Sequence, residues 1–142
     1  MRRAAAALAL LAALGMARKP PERKTMADKT EWNGGQCGVA APGARVIADA
    51  AAWEALWTEA FSAPAPKVDF GAHVAVAVFV GVKPTGGWAP EFLAPETRGC
   101  LVVPYRVKGP GPGSFVIEAF TQPYAIRLYP RPKCAVTAEE RR

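Results

Sequence analysis

His73-Val74-Ala75-Val76-Ala77-Val78-Phe79-Val80 is an almost unbroken apolar octet, and it runs directly into Gly81-Val82-Lys83-Pro84-Thr85-Gly86-Gly87-Trp88. The octet reads as the most buried strand of the domain. β-Branched valines are stiff at χ1, and a pleated surface accommodates them best. By the two-residue period, Val74, Val76, Val78, Val80 and Val82 share one face, and His73, Ala75, Ala77, Phe79 and Gly81 share the other. One face is bulky and the other is mostly small, so a helix can lie close over Ala75 and Ala77. A buried helix is the rival reading of a short apolar run, but Gly71 and Gly81 bracket this one at strand length.

The covering helix is legible upstream. Asp49 supplies an N-cap carboxylate, and good helix formers follow it. Trp53, Leu56, Trp57, Ala60 and Phe61 keep the i, i+3, i+4, i+7, i+8 spacing of one apolar stripe. Pro64 disfavours helical geometry at Ala63 and Pro66 prevents resumption, so the helix is predicted to stop near Ser62.

Downstream of the octet the pattern is extended. Arg45-Val46-Ile47, Trp88–Leu93, Leu101–Val107, Phe115–Thr121 and Tyr124–Tyr129 read as strands. Pro90 restricts its strand to an edge or a bulge. Gly109-Pro110-Gly111-Pro112-Gly113 is too rich in breakers for regular structure. The expected fold class is therefore α+β: one long helix packed on an antiparallel sheet of about five strands. Residues 18–43 read as a linker in which Trp32 is the apolar exception, residues 44–134 as the domain, and residues 135–142 as a polar tail.

Charge is unevenly placed. The chain of 142 residues carries a formal charge of +6, yet residues 1–29 hold seven basic and two acidic side chains, and residues 30–142 hold eleven and ten. The domain is nearly neutral, which argues against a nucleic-acid face. Arg2 and Arg3 followed by the apolar Ala4–Leu14 and by Gly15-Met16-Ala17 read as a signal peptide over residues 1–17. That run is too short for a stable membrane anchor. Export, periplasmic or secreted, is the expectation; a true start at Met16 or Met26 would instead leave the product in the cytoplasm. Three cysteines at Cys37, Cys100 and Cys134 lack the close pairs of a zinc site. If the later strands form a meander, Cys100 and Cys134 lie at its opposite ends, so the expected disulfide is Cys37 with Cys134, leaving Cys100 free.

No catalytic set emerges. His73 is the single histidine, Ser62 and Ser114 are the only serines and stand outside nucleophile motifs, and Gly109–Gly113 lacks the lysine of a phosphate loop. Asp49 reads as a cap and Asp69 as a turn residue. No cofactor and no metal site are predicted. What remains is loop chemistry: glycine permits close backbone approach, proline pre-pays loop entropy, and tryptophan and tyrosine anchor interfaces. The predicted partner-contact residues are Lys83, Pro84, Thr85, Gly86, Gly87 and Trp88, then Gly111, Pro112 and Gly113, then Gln122, Pro123 and Tyr124. Whether these three loops share one end of the fold stays open on the sequence alone.

Trp53-Glu54-Ala55-Leu56-Trp57, Val68-Asp69-Phe70, Val78 through Trp88, Pro110-Gly111-Pro112-Gly113 and Thr121-Gln122-Pro123-Tyr124 together resemble the PrcB C-terminal domain, over roughly residues 45–130. Ala125 stands where family members commonly carry histidine after Pro-Tyr. The family takes its name from an accessory protein of a bacterial surface protease complex. The resemblance implies a non-catalytic exported binding or assembly module whose partner is a protein, with a protease as the implied class. The alternative is a loop-inserting protease inhibitor, since Pro84-Thr85-Gly86 is loosely similar to a loop of chagasin-type inhibitors.

Overall fold

The computed structural model describes residues 29–142. The leader reading of residues 1–17 lies outside them. The strand β1 (Glu31–Gly34) opens the described chain, followed by β2 (Gly43–Ile47), α1 (Ala50–Phe61), β3 (His73–Phe79), β4 (Ala89–Phe92), β5 (Glu96–Arg98), β6 (Cys100–Lys108), β7 (Tyr124–Pro130) and β8 (Val136–Glu140).

The expectation of one long helix on one five-stranded sheet is wrong. The strands form two four-stranded sheets, and α1 spans only 12 residues. The first sheet has the antiparallel order β1-β7-β3-β2. In the second, β6 pairs with β4 and β5 in succession along one edge and with β8, in parallel, along the other. The physical reason is the bulky face of β3. Val74, Val76 and Val78 are at most 3% exposed and need their own cover, which Val103 and Tyr105 of β6 provide together with Tyr129 of β7. Each buried valine contributes roughly 1.5–3 kcal/mol, too much to leave in water.

The small face behaves as expected. Ala75, Ala77 and Phe79 lie under Trp53, Leu56 and Ala60 of α1. Asp49 caps α1, its carboxylate accepting from the Ala52 amide at 2.8 Å, and Ser62 ends the helix in the left-handed region at φ 48°. Trp32, Trp53 and Trp57 form a cluster with ring centroids 5.5–5.8 Å apart.

Other departures have a common cause. β1 falls within the stretch read as linker and β8 within the stretch read as tail. Both are short edge strands of mixed polarity, so neither carries a two-residue apolar signal. Conversely, Phe115–Thr121 alternates well but is a loop, joined to the turn after β3 by an isolated bridge between Lys83 and Thr121. The disulfide joins Cys100 to Cys134, with Cα atoms 5.8 Å apart, and Cys37 is free. The Cys37–Cys134 expectation rested on a meander. Instead β8 returns alongside β6, which brings Cys134 next to Cys100.

Candidate functional site

The turn after β3 and the long loop after β6 are built into each other. Lys83 and Thr121 exchange backbone hydrogen bonds at 2.8 Å in both directions. The Gly86 amide donates to Ile117 O at 2.9 Å, and the Thr121 hydroxyl donates to Thr85 O at 2.8 Å. From the other side, the Gln36 side-chain amide donates to Phe120 O at 3.1 Å. Gly87 has φ +84°, and a Cβ there would stand 2.7 Å from Val116 Cγ1 and 2.9 Å from Pro110 Cβ. Only glycine allows that approach without strain. The Lys83 ammonium sits 4.4 Å from the Trp88 ring centroid, a cation–π contact that holds the indole in place.

The main chain of this loop is therefore fixed, while its side chains stand in water. Phe115 is 105% exposed, Phe120 74%, Ile117 64% and Val82 52%. Single exposed apolar residues are ordinary, but Phe115, Ile117 and Phe120 stand exposed within six residues of one loop, a concentration of the kind found at contact surfaces. Sequence reasoning missed Phe115, Ile117 and Phe120 because their alternation looked like a half-buried strand. The signal that could have found them was the flanking Gly109–Gly113, which leaves no strand register to bury them.

The predicted contact residues divide. Residues 83–88 pack against 109–121, so the first two loops meet. Gly111, Pro112 and Gly113 are exposed in a turn closed by the Ser114 amide on Gly111 O at 3.1 Å. Pro123 is fully buried, its carbonyl accepting from the Val80 amide, so it supports the site from beneath. Gln122 is half-buried and its amide donates to Gly35 O at 3.0 Å. Tyr124 is half-buried and stacks on Phe61 at 4.8 Å, which itself stacks on Trp57 at 4.6 Å. Burial pushes its phenol pKa up. Trp88 and Tyr124 line one groove of about 540 Å³ together with Glu31, Asn33, Glu91 and Arg127. Gly86 and Trp88 are also only half-buried.

Two arginines beside the groove are held in structural pairs. Arg127 donates to Glu31 at 2.8 Å and Arg106 to Glu91 at 2.8 Å; the latter bond holds the Glu91 carboxyl below the usual carboxylate range. His73 Nδ1 lies 3.3 Å from Asp69 O at the start of β3. Burial pushes the Cys37 thiol up, away from the reactive thiolate. Among the described residues, no group of three or more His, Cys, Asp or Glu side chains could hold a metal ion.

Residues 74–127 match the PrcB C-terminal family model. The match supports the PrcB C-terminal domain family, in agreement with the resemblance carried by the motifs. It runs from β3 into β7 and contains the whole 83–88 and 109–121 assembly; β1, β2, α1 and β8 lie outside it. PrcB C-terminal domains are an accessory family associated in general with protease complexes, not a known catalytic one. No curated protein and no solved structure matches the chain.

Proposed function

We propose that this chain is a non-catalytic protein-binding module that supports assembly of a protease complex, with the 109–121 loop as its principal contact. The observation that carries the reading is the combination of a hydrogen-bonded loop backbone with solvent-facing Phe115, Ile117 and Phe120. A loop already held in shape loses little entropy on docking, and apolar side chains already in water gain by leaving it. Lys83–Trp88 acts as the platform. The PrcB C-terminal match over residues 74–127 supports the reading of a protease complex as the partner. Export belongs to the same proposal; the Cys100–Cys134 disulfide supports an oxidising compartment.

The test is affinity capture from the native host with full-length wild type and with Phe115→Ser/Phe120→Ser. A protease-containing complex captured by wild type and lost with the double variant is the expected result. Equal capture by both would overturn the contact assignment. The inhibitor alternative draws on the same protruding Phe115: dose-dependent inhibition of a purified protease, abolished by Phe115→Ser, would replace assembly by inhibition.

A further inference from the structure

The two sheets do not cover each other evenly. β4 lies over β7 and β8 over β2, so β1 extends past the edge of the second sheet with no strand above it among the described residues. Its inward residues Glu31 and Asn33 form a floor with Ala125 and Arg127 of β7, and Ala89–Phe92 of β4 form the wall, around the 540 Å³ groove. β4 pairs with β6 on one side only.

The outward edge of β4 has a defined chemistry. The Leu93 amide donates to Pro104 O at 2.9 Å, which sets the alternation: Leu93 and Glu91 point their backbone groups at β6, and Phe92 and Pro90 point theirs into the groove. The edge thus offers two acceptors, Pro90 O and Phe92 O, and one donor, Phe92 N. Pro90 removes the other donor, which discourages indiscriminate strand pairing while leaving a partial ladder. At one end Gly35 keeps space open beside Trp88: a Cβ there would meet nothing within 4 Å.

From this geometry we infer that the groove, a strand position that none of the described residues fills, takes an extended segment of the partner protein that pairs with β4 and lies across β1 and β7. The inference rests on the protein-binding reading and adds a second contact to it. An extended backbone is the chemistry that matches alternating edge groups at strand spacing, about 4.8 Å from β4. The fitting segment is four to six residues of about 3.3 Å each, with one apolar side chain against Trp88 and a polar one, two residues away, over Asn33 and Arg127.

The probe is a library of displayed random 12-residue peptides, panned on the full-length chain, with the enriched peptides then synthesised and titrated. Expected are enrichment, about tenfold weaker binding to Asn33→Trp and after N-methylation of alternate peptide amides, slowed hydrogen exchange at the Phe92 amide, and unchanged binding to Phe115→Ser. Asn33 is exposed, and if its tryptophan variant melts early, Ala89→Tyr fills the same groove from the opposite wall. Failure to enrich any peptide, or binding indifferent to both groove-filling variants, overturns the inference. Peptides lost only with Phe115→Ser would also overturn it while leaving the loop contact standing. A dimer on sizing that Asn33→Trp dissociates would give the groove to a second copy instead of a partner.

Discussion

His73–Val80 and Ser114–Thr121 both alternate like strands, the first almost wholly apolar and the second interrupted by Ser114, Glu118 and Thr121, and they end in opposite environments. From Val74 to Val80 every residue of the first is buried, with α1 on one face and the second sheet on the other. In the second, Phe115, Ile117 and Phe120 face water on a backbone tied to residues 83–86. Alternation therefore does not decide burial here. What differs is the number of partners: β3 has β2 and β7 as ladder neighbours, whereas the 114–121 stretch makes one bridge and a few loop hydrogen bonds. An octet that joins a sheet supplies core. One that is held at its margin supplies a surface for another molecule.

The sharpest way to break this contrast is to remove mass on the buried side. Trp53 is 2% exposed and bonds Pro66 O through its indole N–H. Trp53→Ala is expected to lower unfolding free energy by about 3–5 kcal/mol in urea titrations, and a loss below about 1 kcal/mol would mean that α1 is not core. Cys100→Ser opens a link of sequence separation 34 that ties β8 to β6, with an expected loss of about 2–4 kcal/mol by the same measurement. Gly87→Ala forces a side chain into the left-handed region against Val116 and Pro110. It should cost about 1–3 kcal/mol and release the exposed loop from its platform, seen as faster hydrogen exchange at the Gly86 amide.

On the exposed side the expectation reverses. Phe115→Ser should change stability by no more than about 0.5 kcal/mol while weakening partner capture. A large loss of stability would show that Phe115 is packed after all. The smallest effect is electrostatic. Glu59, Glu91, Glu96 and Glu139 are held below the usual carboxylate range by hydrogen bonds from Arg45, Arg106 and Arg141. Folded pKa values that are depressed stabilise above the unfolded value and lose that contribution as pH falls through the folded ones. A slight drop in melting temperature below about pH 4.5, reduced by added salt, is expected, because all four pairs are at the surface.

Local patterns in the chain were enough to read α1 and its Asp49 cap, the faces of β3, the Pro90 edge, the β6 and β7 runs and the motifs of the PrcB C-terminal family. These are set by capping chemistry, the 3.6- and 2-residue periods and the steric rules of proline, all of which act within a few residues. The second sheet, the capture of β1 and β8, the Cys100–Cys134 pairing, the docking of residues 83–88 on 109–121 and the groove between β1 and β4 were decided only in three dimensions. Each depends on which distant strand supplies the missing hydrogen bonds and apolar cover, and edge strands as polar as Glu31–Gly34 carry no local mark of the neighbour that will hold them.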